Sequence, residues 1–285
     1  MIEIREKAYA KLNISLDVMA KRPDGFHDML MVMQTVSLWD ELCITLNRQR
    51  RFTASSNLHF IPGDERNLAV KAAMRYLAAA GEEDMGAHIS MQKRIPVGAG
   101  MAGGSADAAA VLRALERHFG GRLGQEKLME LGAEVGSDVP FCIMGGTALA
   151  EGRGEILSPL PPMPDCFFVI CKPEFSISTP ELFRKLDAVN SRRHPDTAGI
   201  IQALEKGDLS QICRRMYNVF EDVDDRRMRV VSQIKGELLD NGALSAMMTG
   251  TGSAVFGVFD DEDCAAAASR ELRKLCNFCT VARPV

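Results

Sequence analysis

In the first third of the chain, apolar residues alternate with polar ones or gather as β-branched runs between turn signals. Residues 2–5, 11–18, 32–38, 41–47 and 88–93 follow this period of two and are predicted to be strands. The spacing then lengthens. Residues 67–80, 105–118 and 125–135 predict helices, the last with Leu128, Leu131 and Val135 at helical spacing. An apolar run at 139–144 ends in a turn at Gly145 and Gly146. PLPPMP at 159–164 is a stiff connector poor in backbone donors, and the hydrophobic run at 166–171 behind it reads as a buried strand. A domain boundary is expected there, giving 1–158 and 159–285. Beyond it the pattern predicts helices at 179–185, 198–204, 209–216 and 228–241, strands at 243–248 and 254–259, and a helix at 264–275. Strands and helices are segregated, which predicts an α+β fold.

The segment from Pro96 onward, PVGAGMAGGSADAAA, departs from any packing pattern. It places Gly98, Gly100, Gly103, Gly104 and Ser105 just before an alanine-rich helix former. Glycines let backbone come close to a bulky anion, and the following helix directs unsatisfied N–H groups and a partial positive charge at the loop. Phosphate binding is the expectation; a glycine-rich helix cap is the plainer reading. Gly98 to Gly103 also satisfies the dinucleotide pattern G-x-G-x-x-G, but Pro96 breaks the run from strand to glycine and no second strand with a terminal acid follows. The P-loop pattern fails because Gly104 stands where its lysine belongs.

Composition narrows the classes. With 46% hydrophobic and 25% charged residues, a chain of 285 can bury a sizeable core. The net charge of -4 gives no bulk attraction for nucleic acid or membrane. No apolar stretch is long enough to span a bilayer and the N-terminus has no signal-peptide core, so a cytoplasmic location is expected. Among eight cysteines the only close pair, Cys276 and Cys279, lacks partners at zinc spacing. Oligomeric state leaves no trace in the pattern.

The glycine segment resembles a motif of the GHMP kinases, the family named for galactokinase and for homoserine, mevalonate and phosphomevalonate kinases. PVGAGMAGGSA at 96–106 is similar to its glycine-rich motif, with Met101, Ala102 and Ala106 departing from the usual leucine, glycine and second serine. KAYAKLN at 7–13 and MTGTGSA at 248–254 resemble the first and third family motifs, in the same order. RPDGFH at 22–27, GSDVPF at 136–141 and SISTPELF at 176–183 are similar to segments of the branch whose acceptor is a cytidine-diphosphate-linked methylerythritol, phosphorylated on its 2-hydroxyl in the non-mevalonate isoprenoid route. Phe26 stands where tyrosine is common in that branch.

The resemblance implies an N-terminal domain with a left-handed βαβ unit and a ferredoxin-like C-terminal domain. It implies ATP as phosphoryl donor, Mg2+, and a small-molecule acceptor carrying a cytidine diphosphate group. It nominates Asp138 as general base with Lys11 beside it; taken alone, Asp138 reads as a turn or cap residue and Lys11 as an exposed strand residue. ATP would be held by Asn67, Pro96, Gly98, Ala99, Gly100, Met101, Ala102, Gly103, Gly104, Ser105, Thr249 and Gly250, although Asn67 reads also as a helix cap. The acceptor would meet Asn13, Phe26, His27, Thr179 and Phe183, with Phe26 and Phe183 as walls for the cytosine ring and His27 at its edge. Another GHMP acceptor, mevalonate or homoserine, and a nucleotide-binding protein without turnover are the alternatives.

Overall fold

The computed structural model describes residues 2–189 and 193–285. It holds two compact units assembled from non-contiguous segments: one from the N-terminal segment to Ala10, 38–95 and 102–145, the other from 11–37, 96–101 and 146–285.

The first unit contains the C-terminal part of β2 (His27–Asn47), β3 (Phe52–Ser56), α1 (Leu68–Ala79) and β4 (Gly86–Gln92). β4 lies between β2, which it meets antiparallel, and β3, which it meets parallel across α1. β3, α1 and β4 therefore form a β-α-β unit. In β2 the alternation predicts the outcome: Leu42, Ile44 and Leu46 are buried, Cys43 and Thr45 between them are half-buried, and Glu41 before them is exposed. α2 (Gly103–His118), α3 (Gly124–Val135) and α4 (Val139–Met144) pack with α1 as a helical layer. α2 is buried on almost every side, which the small side chains of Ala106, Ala108, Ala109 and Ala110 permit.

The second unit contains the long β1 (Ile2–Lys21) from Lys11 on and the N-terminal part of β2, joined by a turn in which Arg22 N–H donates to Phe26 O. β5 (Thr147–Gly152) pairs with β2 and with β6 (Ile156–Pro159), and the two-residue β8 (Tyr217–Asn218) runs parallel to β1. A second sheet contains β7 (Phe167–Lys172), β9 (Ser245–Met248), β10 (Val255–Phe259) and β11 (Phe278–Ala282), all antiparallel, in the order β11-β7-β10-β9. α8 (Met228–Asp240) and α9 (Glu262–Leu272) pack on it. This β-α-β-β-α-β succession is the expected ferredoxin-like arrangement, with α5 (Thr179–Asp187), α6 (Thr197–Glu205) and α7 (Leu209–Arg215) inserted after β7.

Sequence and structure differ in several strands. Residues 2–5 and 11–18 are one continuous strand, as are 32–38 and 41–47, because pairing to neighbours carries EKAYA and Trp39-Asp40 through regions of weak strand preference. β3, β5, β6 and β11 have no counterpart in the sequence reading. Their short, small or polar sequences (FTASS, TALAEG, ILSP, FCTVA) acquire strand form from their partners.

Candidate active site

In the second unit β1 carries the polar residues Lys11, Asn13, Ser15 and Asp17 at every other position, and none is exposed by more than 4%. Leu12, Ile14, Leu16 and Val18 on the opposite face are buried too. Lys11 is therefore not the exposed strand residue that alternation alone suggests. A polar stripe turned inward must find its partners inside. Lys11 Nζ donates to Asn13 Oδ1 at 2.6 Å, Asn13 N–H to Thr249 Oγ1 at 3.1 Å, and Val32 N–H to Ser15 Oγ at 3.3 Å. Asp17 meets His194 Nδ1 at 2.9 Å. Among the described residues no carboxylate lies within ion-pair distance of Lys11.

Thr249 ties this stripe to two glycine turns. It opens the connection between β9 and β10, so the third motif is a hairpin. Gly100 and Gly250 take φ of +76° and +58°, and each approaches the other's backbone: a Cβ on Gly100 would fall 2.2 Å from Thr249 O, and one on Gly250 2.9 Å from Gly100 O. Ala254 N–H donates to Ala99 O at 3.2 Å. From behind, Asn218 Nδ2 donates to Met248 O and Gly250 O, both at 2.8 Å. The two loops are seated backbone against backbone, which only glycine permits at these positions.

The predicted acceptor residues gather in the same unit. A Cβ on Gly98 would lie 2.7 Å from Ser176 Oγ, so the 176–183 segment abuts the loop. Thr179 Oγ1 meets Thr251 Oγ1 at 2.7 Å. His27 stacks on Phe183, with ring centroids 4.8 Å apart and planes 23° apart, and Phe220 meets Phe183 edge-on. His27 Nε2 is 2.7 Å from Asp187 Oδ1, and Lys21 donates to the same carboxylate at 2.8 Å. The hydrogen bond from Lys21, then that from His27, hold the Asp187 carboxyl below the usual carboxylate range. Phe26 is 52% exposed, with the Arg153 guanidinium over its ring at 5.1 Å. The imidazole thus occupies one face of Phe183, and Phe26 offers the open ring.

Pro96 and Met101 lie in the second unit with Gly98 to Gly100, and the other predicted residues belong to the first. Ala102 has φ +58° and precedes α2, whose N-terminus has no side-chain cap and no acidic residue in its first turn. Its N–H groups are left for an external acceptor. A Cβ on Gly136 would lie 3.8 Å from Ser105 Oγ and 3.9 Å from Leu68 Cδ1, and one on Gly104 3.6 Å from that same Leu68 atom. The start of α2, the start of α1 and the segment carrying Asp138 therefore converge. Asn67 is the α1 cap: its Oδ1 accepts from Ala69 N–H at 3.0 Å and its Nδ2 donates to Pro62 O at 2.9 Å. Asp138 begins α4 without capping it. Its carboxylate is half-buried and free of the cap role that the sequence allowed.

Residues 67–146 match the family profile described as GHMP kinases N terminal domain, and residues 200–277 that of GHMP kinases C terminal. The chain belongs to the GHMP kinase family. A protein of Lachnoclostridium phytofermentans named 4-diphosphocytidyl-2-C-methyl-D-erythritol kinase is 43% identical over 267 residues, 94% of this chain and 91% of that protein. One of the same name from Clostridium perfringens is 45% identical over 258 residues, 90% and 89% of the two chains. A crystal structure of 4-(cytidine 5'-diphospho)-2C-methyl-D-erythritol kinase superposes over 99% of both chains with TM-score 0.83 and 31% identity. Homoserine kinase from Cytophaga hutchinsonii, 20% identical with TM-score 0.79 over 99% of this chain and 94% of its own, shares the GHMP kinase fold.

Sequence reasoning missed Asn218, Asp187 and the Asp17–His194 pair, which single-residue patterns do not mark. It also passed over Lys93, although a lysine ending a strand just before the glycine loop was a signal. Cys276 and Cys279 are free thiols grouped with Cys171, whose Sγ is 3.1 Å from that of Cys279. No helix among the described residues is long and apolar enough to cross a membrane.

Proposed function

We propose that this GHMP kinase transfers the γ-phosphoryl group of ATP to the 2-hydroxyl of 4-diphosphocytidyl-2-C-methyl-D-erythritol, releasing ADP and the 2-phosphate. The observation that carries the reading is Lys11: a buried ammonium whose one acceptor among the described residues is an amide oxygen, on a stripe bonded to the loops that resemble the family's phosphate-binding motifs. A buried charge without a counter-ion is costly, and an anionic substrate supplies one. The names of the relatives give the acceptor.

In this reading Gly98 to Ser105 hold the triphosphate through main-chain N–H groups and the α2 N-terminus. Thr249 and Gly250 fix the loop from the other side. Asn67 acts through the helix start it caps. Asp138 accepts the hydroxyl proton, and Lys11 offsets charge gathering on the phosphoryl oxygens. Phe26 stacks on the cytosine, while His27, held by Asp187 and Phe183, hydrogen-bonds its edge; Asn13 and Thr179 line the acceptor's path. Magnesium would be brought by the triphosphate and would offset charge on its oxygens. No group of three histidine, cysteine or acidic side chains able to hold a metal occurs among the described residues, and Ser105 would offer it a hydroxyl. The boundary between N-terminal and C-terminal kinase domains is put at the proline-rich connector, giving 1–158 and 159–285.

The test is ATP consumption by purified protein with magnesium and, in turn, the cytidine-diphosphate acceptor, mevalonate and homoserine, with product mass determined. Turnover with the first alone is expected. Turnover with another acceptor would keep the kinase and overturn the cytosine pocket.

A further inference from the structure

Arg94 and Ile95 lead into the glycine loop and Gly103 leads out of it, and both ends are fastened to the same three buried side chains. Asp40 Oδ1 accepts the N–H of Ile95 at 2.8 Å and that of Arg94, while its Oδ2 takes the Lys93 ammonium. Lys93 Nζ also donates to Asp107 Oδ2, one turn into α2, and reaches Gly103 O at 3.4 Å. Asp40, Lys93 and Asp107 are 0%, 8% and 3% exposed. A Cβ on Gly103 would lie 3.1 Å from Ile95 Cγ2, so the helix start is drawn tight against the strand exit.

The cluster is not a phosphate ligand in disguise. An ammonium has three protons, and here all three have acceptors. Two carboxylates against one ammonium also give no positive excess with which to attract a triphosphate. What the cluster can do is hold distances. It joins β2, the end of β4 and the first turns of α2 by charge-assisted bonds in a buried setting, where such bonds are stiff and their loss is costly.

We infer that Lys93, Asp40 and Asp107 are positioning residues for the nucleotide: they fix the two ends of the glycine loop so that its N–H groups are aimed before ATP binds. The inference rests on the reading of residues 96–105 as the ATP phosphate loop. Its advantage to the enzyme is preorganisation, since ordering the loop on binding would weaken the hold on ATP and misplace the γ-phosphoryl group.

Asp107 is the residue to change first, because Lys93 keeps Asp40 when it is neutralised and Asp107 Oδ1 has no partner to lose. In the full-length protein assayed at about pH 8, Asp107→Asn should raise the KM for ATP roughly tenfold or more. The KM for the acceptor should stay within about twofold, and the amides of 97–104 should exchange hydrogen faster than in wild type. Lys93→Arg, which keeps the charge but not the three-way geometry, should shift the same two readouts in the same direction. Melting temperatures that fall while the KM for ATP and loop exchange stay at wild-type values would overturn the inference and leave the cluster as a stability element. A wild-type enzyme that uses no ATP would instead overturn the reading of the loop beneath it.

Discussion

Lys93 and Lys11 are both buried lysines at the edge of glycine-rich segments, and their surroundings are opposite. Lys93 has two carboxylates and a carbonyl; together Asp107 and Asp40 outweigh the burial that works against its charge, and its pKa is raised. Among the described residues Lys11 has one acceptor, an amide oxygen. A third buried lysine, Lys172, lies between them: it donates to Pro173 O and Phe175 O at 2.8 and 2.6 Å, and burial lowers its pKa. The first arrangement is complete in itself and serves architecture. The second leaves a buried charge that an anion from outside would complete, and on that ground Lys11 and not Lys93 is proposed for the reaction.

The contrast can be broken by removing each charge. Lys93→Met strands two buried carboxylates and should cost about 3–5 kcal/mol of stability, read as a fall in denaturation midpoint. Lys11→Met removes an ammonium with no counter-ion and should leave stability unchanged or raised, while kcat drops roughly 10²–10³-fold. Equal losses of stability in the two variants would erase the distinction. Asp138→Asn belongs with Lys11, since its carboxylate caps nothing: kcat should fall by roughly 10²–10⁴ with modest change in KM, and the melting curve should not move. An unchanged kcat would remove Asp138 from the chemistry.

Smaller effects sharpen the picture. Phe26→Ala should raise the acceptor KM roughly five- to a hundred-fold through lost stacking, without destabilisation, because the ring is already half exposed. A drop in stability at unchanged KM would make Phe26 a packing residue.

Asp107 faces Lys93 at the end of β4 and Asp40 on β2. Burial, against the pull of Lys93, pushes its pKa up to about 7. The folded protein therefore keeps a proton on Asp107 where the unfolded chain has lost it. This contribution to stability is full below the ordinary carboxylate pKa and is lost as pH rises through about 7. Between about pH 6 and pH 8 the wild-type melting temperature should fall by more than that of Asp107→Asn, and parallel curves would contradict the assignment. The smallest change expected is from Ala102→Gly. Ala102 holds φ +58°, a conformation that costs a side-chain-bearing residue roughly 1–2 kcal/mol, so relief should stabilise by about 1 kcal/mol in thermal melts. That position is also one of the three where the loop departs from the family pattern.

Much of this was legible before the structure. Periodicity alone placed α1, α2, α3, β7, β9, β10 and the helices of the C-terminal half, because helix faces and buried strands repeat with fixed spacing; the ferredoxin-like arrangement was an expectation of the family resemblance. The glycine loop was legible too, since four glycines with a serine before a helix former have few uses. Strand extent was not. Nothing local in EKAYA or TALAEG marks a strand, and β1 and β5 owe their form to what they pair with.

The candidate site divides the same way. The sequence by itself determined which groups are present: the glycines, the lone stripe lysine, the aspartate after Gly136-Ser137 and the Phe26-His27 pair. Only the tertiary structure decided which are engaged and which are free. Alternation in KLNISLDV says that Lys11, Asn13, Ser15 and Asp17 share a face, but not whether that face meets water. Whether Asn67 and Asp138 cap their helices was equally open, and one does while the other does not. Partners distant in sequence settle such questions: Thr249 for Asn13, Asp187 for His27, and Asp40 for Lys93. Burial and hydrogen bonding are properties of the folded surroundings, and a charge becomes reactive or structural according to what those surroundings leave unpaired.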